Sequence, residues 1–182
     1  APFTEDFERA ELGSRYYNTG GPYRIISGEL NVKGAYNHPL WLKKRLPRNA
    51  EISFDVTSNS TAGDIKVEAW GDGKTFATTK GAYMASSYVF IFGGWGNSTS
   101  ALCRMDEHAD NRKTRSDVKV VKGQTYKFRI RREGQVVQWF VDGNAFLEMK
   151  DPSPLEGEEH SYFGFNNWES DLTFDNLVIK PL

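Results

Sequence analysis

Two tryptophans stand among residues that could do chemistry. Trp95 lies in "YVFIFGGWGNSTS", between two glycines and two positions before Asn97. Trp168 lies in "FGFNNWESDLTFDNLVI", after Asn166 and Asn167 and before Glu169. An indole offers a flat apolar face, while amides and carboxylates offer directional hydrogen bonds. Side by side they suit a ligand with an apolar face and a hydroxylated edge. Trp70 ends a strand-like run on its polar side, beside Lys66 and Glu68, and offers the same combination. A second reading stands against all three. The indoles could close the ends of a core, with Gly and Asn only supplying turns of positive φ. The sequence leaves both readings open.

Acid–base chemistry would fall to carboxylates, and the candidates are Glu68, Asp106, Glu107 and Glu169. A retaining glycosidase, for instance, needs two carboxyl groups about 5 Å apart. Neighbours on one face of a strand lie about 7 Å apart, so Asp64 and Glu68, two such steps apart, are too distant without help from another strand. "RMDEHAD" gathers Asp106, Glu107, His108 and Asp110, but it reads equally as a polar loop leading into "NRKTRSD". His38, His108 and His160 are scattered and fit no triad or metal pattern. Cys103 is the single cysteine, which excludes an intrachain disulfide and a cysteine zinc site; in "ALCRM" it reads as a small buried hydrophobe.

Strands must position these residues, because helical periodicity is almost absent while period-two runs recur. Ile52, Phe54 and Val56 alternate with Ser53, Asp55 and Thr57. Ile65, Val67 and Ala69 alternate with Lys66, Glu68 and Trp70. Tyr126, Phe128 and Ile130 alternate with Lys127, Arg129 and Arg131, and the basic set reads as a solvated outer face that discourages edge pairing. Trp139, between Val137 and Val141, and Trp41, in "HPLWLKKRL", read as core. "GQVVQWFVDGNAFLEM" predicts a hairpin turning at Asp142-Gly143-Asn144. Residues 172–179 form a last strand, and 109–117 a long solvated loop. About a dozen strands without βαβ crossovers predict one all-β domain over residues 1–182, an antiparallel two-sheet sandwich of jelly-roll type.

These motifs, in this order, resemble the concanavalin A-like lectin/glucanase superfamily. The opening "EDFERAELGSRYYNTGGPYRIISGELNV", the hairpin "VVQWFVDGNAFLE" and the close "SYFGFNNWESDLTFDNLVI" carry the resemblance over most of the chain. The superfamily includes lectins, carbohydrate-binding modules, laminin G-like domains, glycoside hydrolases and polysaccharide lyases, so the fold alone does not name an activity. The resemblance implies a glycan partner on the concave sheet and its rim loops; the residues whose chemistry suits one are Trp70, Trp95, Asn97, Asn166, Asn167, Trp168 and Glu169. It also implies a structural calcium held by Asp6 or Glu8 with Asp175, unless Asp175 only bonds turn amides. The laminarinase-like "E-x-D-x-x-E" strand and the alginate-lyase-like motifs have no counterpart here. Carbohydrate binding is therefore the expected function. A glycan-active hydrolase or lyase, or a laminin G-like protein-interaction domain, are the alternatives.

The chain has 182 residues and a net charge of −1, so no strong overall field recruits nucleic acid. Its apolar runs fall far short of the roughly 20 residues of a membrane helix. The start "APFTEDF" and the sequons at Asn59 and Asn97 lead to the expectation of an exported protein, secreted or periplasmic.

Overall fold

The computed structural model describes residues 2–182 and is built from fifteen strands. In chain order they begin with β1 (Phe3–Glu5), β2 (Tyr16–Asn18), β3 (Arg24–Ile26), β4 (Glu29–Val32), β5 (Leu40–Leu42), β6 (Ala50–Ser58) and β7 (Ile65–Gly71). They continue with β8 (Met84–Gly93), β9 (Thr99–Asp106), β10 (Lys113–Arg115), β11 (Thr125–Glu133), β12 (Val136–Val141), β13 (Asn144–Lys150), β14 (Tyr162–Asn166) and β15 (Leu172–Pro181). One sheet runs β13-β12-β11-β6-β15-β4-β3, with β1 added on β15. The other runs β10-β9-β8-β7-β14-β5-β2. The pairings are antiparallel, and the two sheets form a sandwich of jelly-roll type, as the alternating runs predict.

Period two explains the core. β6 alternates strictly, with Ile52, Phe54 and Val56 buried between the sheets. β11, its neighbour in the same sheet, adds Phe128 and Ile130, and β14 and β15 add Phe163, Phe165 and Phe174. Aromatic rings pack edge-on or tilted through this layer; Phe165 and Phe174 lie 4.7 Å apart and Trp139 and Phe146 also 4.7 Å. Trp41 and Trp139 are fully buried, as expected, and so is Cys103. The predicted hairpin forms between β12 and β13, with Asp142 and Gly143 both at positive φ, the geometry a two-residue turn between right-twisted strands requires.

Two elements differ from the reading of the sequence. Residues 109–117 are not wholly a loop: Lys113–Arg115 pair with β9 and form the edge of the second sheet. Trp70 leaves the polar face of β7. It takes a positive φ of 58°, and the register with β14 slips there, with Tyr162 opposite Gly71 and Phe163 opposite Ala69. One extra residue in a strand turns the following side chain to the other face. Trp70 therefore joins Ala69 in the core, 1% exposed, and donates its indole N–H to the Pro47 carbonyl.

β7 is buried along its whole length, on both faces. Ile65, Val67 and Ala69 point into the sandwich. On the outer side of the same sheet, Val89, Ile91, Ala101 and Cys103 form a separate small apolar cluster with Ala85. Lys66 and Glu68 share that outer side and are buried nevertheless. Something covers them, and the cover is the site.

Candidate functional site

The loops after β8 and β14 both overhang the start of β7. Their tryptophans line one cavity of about 370 Å³, whose other walls include Asn37, Asp64, Lys66, Ile91, Glu107 and Glu169. The two indoles singled out from the sequence thus converge on the same space.

Each loop is held by unusual backbone. Gly93, Trp95, Gly96 and Asn97 all have positive φ, a left-handed turn in which Trp95 sits at φ 49° and ψ 60°. A non-glycine residue there costs about 1–2 kcal/mol, so the surroundings must impose it. Asn97 does so: its side-chain NH₂ donates to the carbonyls of Thr61 and Val120, and its Oδ1 accepts the Val120 N–H. Gly93 leaves room for this clamp, because a Cβ at that position would lie 2.5 Å from Asn97 Oδ1. Trp95 is left 42% exposed, with the Arg112 guanidinium 5.0 Å from its ring centre and His108 at its edge. Across the cavity, Trp168 packs edge-on against Tyr36 at 4.9 Å. Its loop is laced to residues 35–37: the N–H groups of Tyr36 and Asn37 donate to the carbonyls of Trp168 and Asn167.

The floor is a buried polar network. Lys66 Nζ lies 2.7 Å from Glu107 Oε2 and donates to Asn37 Oδ1 at 2.8 Å. The contact to Glu107 is an ion pair rather than an aligned hydrogen bond, so that carboxylate keeps acceptor capacity. Beneath, Glu68 accepts from Asn166 Nδ2, Tyr83 Oη and Ser87 Oγ at 2.8, 2.7 and 2.6 Å. Burial pushes the Glu68 carboxyl up to about 7, against the hydrogen bonds from Ser87 and Tyr83 and the charge of Lys66. Asp64 is raised as well, first by burial and then by Glu107 and Glu169, with Lys66 opposing.

The expected binding residues divide accordingly. Trp95, Trp168 and Glu169 line the cavity. Asn166 and Asn167 are fully buried: Asn166 supports Glu68, while Asn167 accepts the Ala35 N–H and donates to the Ser170 carbonyl. Asn97 is the clamp just described, and Trp70 is core; neither faces the cavity. Of the acid–base candidates, Glu107 lines the cavity, Glu68 is sealed below it, and Asp106 accepts the His108 N–H in a turn. Sequence reasoning passed over Lys66 and Asn37. Neither carried a signal: a lysine between apolar positions of an alternating strand reads as part of a solvated face, as Lys127 does, and Asn37 sits in a loop.

Of the expected calcium ligands, Glu8 stands near enough to Asp175 in β15 for their charges to interact. Asp6 Oδ1 accepts the Glu8 N–H, Asp175 Oδ1 accepts the Asn176 N–H, and no group of three or more His, Cys, Asp or Glu converges to hold a metal among the described residues. Burial raises Asp175, and the nearby Glu29, Glu8 and Asp55 carboxylates add to the effect.

This architecture is the concanavalin A-like lectin/glucanase fold. A carbohydrate-binding module, CBM66 from Bacillus subtilis, superposes with a TM-score of 0.66 at 13% identity, covering 93% of this chain and 98% of that one. The Emp47p carbohydrate recognition domain superposes at 0.70 with 10% identity, covering 98% and 95%. The Bacillus licheniformis beta-glucanase does so at 0.69 with 10% identity, covering 100% and 98%. At such identities the likeness is one of fold, shared by binding modules, lectins and glycanases. The chain itself belongs to the family described as Farnesoic acid 0-methyl transferase, which matches residues 47–177. No curated protein matches it by sequence.

Proposed function

We propose that this chain binds a carbohydrate in the cavity between Trp95 and Trp168. The observation that carries the reading is the convergence of two indoles, from loops far apart in sequence, over a polar floor. The rings offer flat faces to the C–H side of a pyranose. Asp64, Lys66, Glu107 and Glu169 offer donors and acceptors to its hydroxyls. The same charged lining argues against a long isoprenoid chain such as that of farnesoic acid, which would need an apolar channel. Fold relatives that bind sugars add support at the level of architecture.

A broad panel of plant, algal and bacterial polysaccharides tests the reading, scored for both retention and released ends. Retention without products is the expected result. Trp95→Ala and Trp168→Ala should each weaken binding to a retained glycan by about tenfold or more, the cost of losing an anchoring aromatic, with the fold intact by circular dichroism. Unchanged affinity in both variants would remove the cavity from the account.

A second reading has its own observation. Asp64 is a carboxyl group held toward its protonated form beside two other carboxylates, Glu107 and Glu169, at one cavity. A raised carboxylic acid opposite an ionised one is what glycoside hydrolysis uses. New reducing or unsaturated ends in the same panel would establish an enzyme in place of a binding module.

A further inference from the structure

The far end of β7 carries a second concavity unconnected with the tryptophan loops. Trp70 lies four positions beyond Lys66, roughly 13 Å along the strand. A cavity of about 300 Å³ lies there, lined by Arg45, Arg48, Trp70, Arg132, Glu156 and His160 among others. Arg132 is the unusual member. It continues the inward alternation of Phe128 and Ile130 and is 0% exposed. Its guanidinium lies over Trp70, 5.2 Å from the ring centre.

A guanidinium has five N–H donors and is costly to bury unless they are used. Nη1 donates to the Leu155 carbonyl, and Nε makes a long contact of 3.4 Å to the Gly134 carbonyl. Nη2 donates to nothing among the described residues. The nearest carboxylate, Glu156, stands 3.9 Å away and is engaged instead by Arg48, at 2.5 Å. Arg45 and Glu158 form only a loose pair at 3.6 Å, both well exposed. His160 has its Nδ1 against the Ser86 carbonyl, so Nδ1 carries the proton and Nε2 has none in the neutral ring. Three guanidiniums thus meet two carboxylates around a buried, unused pair of donors.

We propose that this cavity is an anion-binding site, taking a carboxylate, sulfate or phosphate group at Arg132 Nη2 with Arg48 as the second donor. Glu156 is the resident competitor, since its carboxylate occupies Arg48 and approaches Arg132 without satisfying it. A tetrahedral or planar oxyanion between the two arginines would complete both forks, the geometry for which arginine is suited. The charge complement and the orphaned donors carry this inference independently of the sugar reading.

Calorimetric titration with sodium sulfate, against sodium chloride of equal ionic strength, is the test. Saturable sulfate binding is expected in the whole chain. Glu156→Gln should tighten it by about tenfold, by freeing Arg48, and Arg48→Ala should weaken it by about as much. Both substituted side chains are half-exposed, so the fold should survive, and circular dichroism checks that it does. Glucose 6-sulfate then separates the sources: tighter binding than sulfate assigns the site to a sugar-borne anion, and equal binding to a free one. No saturable binding, or identical affinities in wild type, Glu156→Gln and Arg48→Ala, would overturn the proposal.

Discussion

Lys66→Met should destabilise the protein by about 3 kcal/mol, the lower part of the range for removing one partner of a buried ion pair. Lys66 and Glu107 side chains are 5% and 10% exposed and stand 2.7 Å apart. Without the ammonium, Glu107 keeps a largely buried carboxylate that lacks an aligned donor, and Asn37 Oδ1 loses its strongest partner. The estimate stays at the low end because Glu107 borders the cavity and can be reached there by solvent. Urea unfolding at neutral pH measures the loss. The double variant Lys66→Met/Glu107→Gln should recover more than half of it, since the stranded charge is then gone. A loss under about 1 kcal/mol in the single variant would mean that the pair is not buried in solution.

The second large effect is on pH dependence. Glu68 titrates near 4.5 when unfolded and at about 7 when folded. The folded chain therefore holds this proton more tightly. Its stabilising effect is complete below about pH 4.5 and is lost as pH rises to about 7, after which this group contributes no further change. Across that window the difference corresponds to about 3 kcal/mol. Glu68→Gln cannot ionise and should lack this contribution. The difference in unfolding free energy between wild type and Glu68→Gln should thus change by about that amount between pH 4.5 and 7.5. A difference independent of pH would show that Tyr83, Ser87 and Asn166 hold Glu68 as a carboxylate throughout.

Much of the fold was legible because period-two alternation depends only on neighbours in sequence. Ile52, Phe54 and Val56 face inward as their spacing dictates, and the Asp142-Gly143 turn forms where its residue types allow positive φ. Trp70 was not legible, since a single bulged position reverses its face and the alternation around it looks unbroken. The site was half legible. Trp95 and Trp168 were marked by their company of Gly, Asn and Glu, but that company serves a different purpose from the one expected. Asn97 and Asn167 shape the loops and do not face the cavity. The floor escaped because Lys66, Asn37 and Glu107 meet only through tertiary contacts, and an isolated lysine on a strand reads as a solvated one.

The proposed glycan lies between two of the five tryptophans. The direct measurement follows the five indole N–H resonances of the ¹⁵N-labelled protein during titration with an oligosaccharide of a retained polymer. Trp41, Trp70 and Trp139 are buried away from this cavity and should stay in place. Trp95 and Trp168, assigned by substitution, should shift together along one saturation curve. Shifts confined to other tryptophans, or saturable binding that leaves both of these unmoved, would contradict this placement.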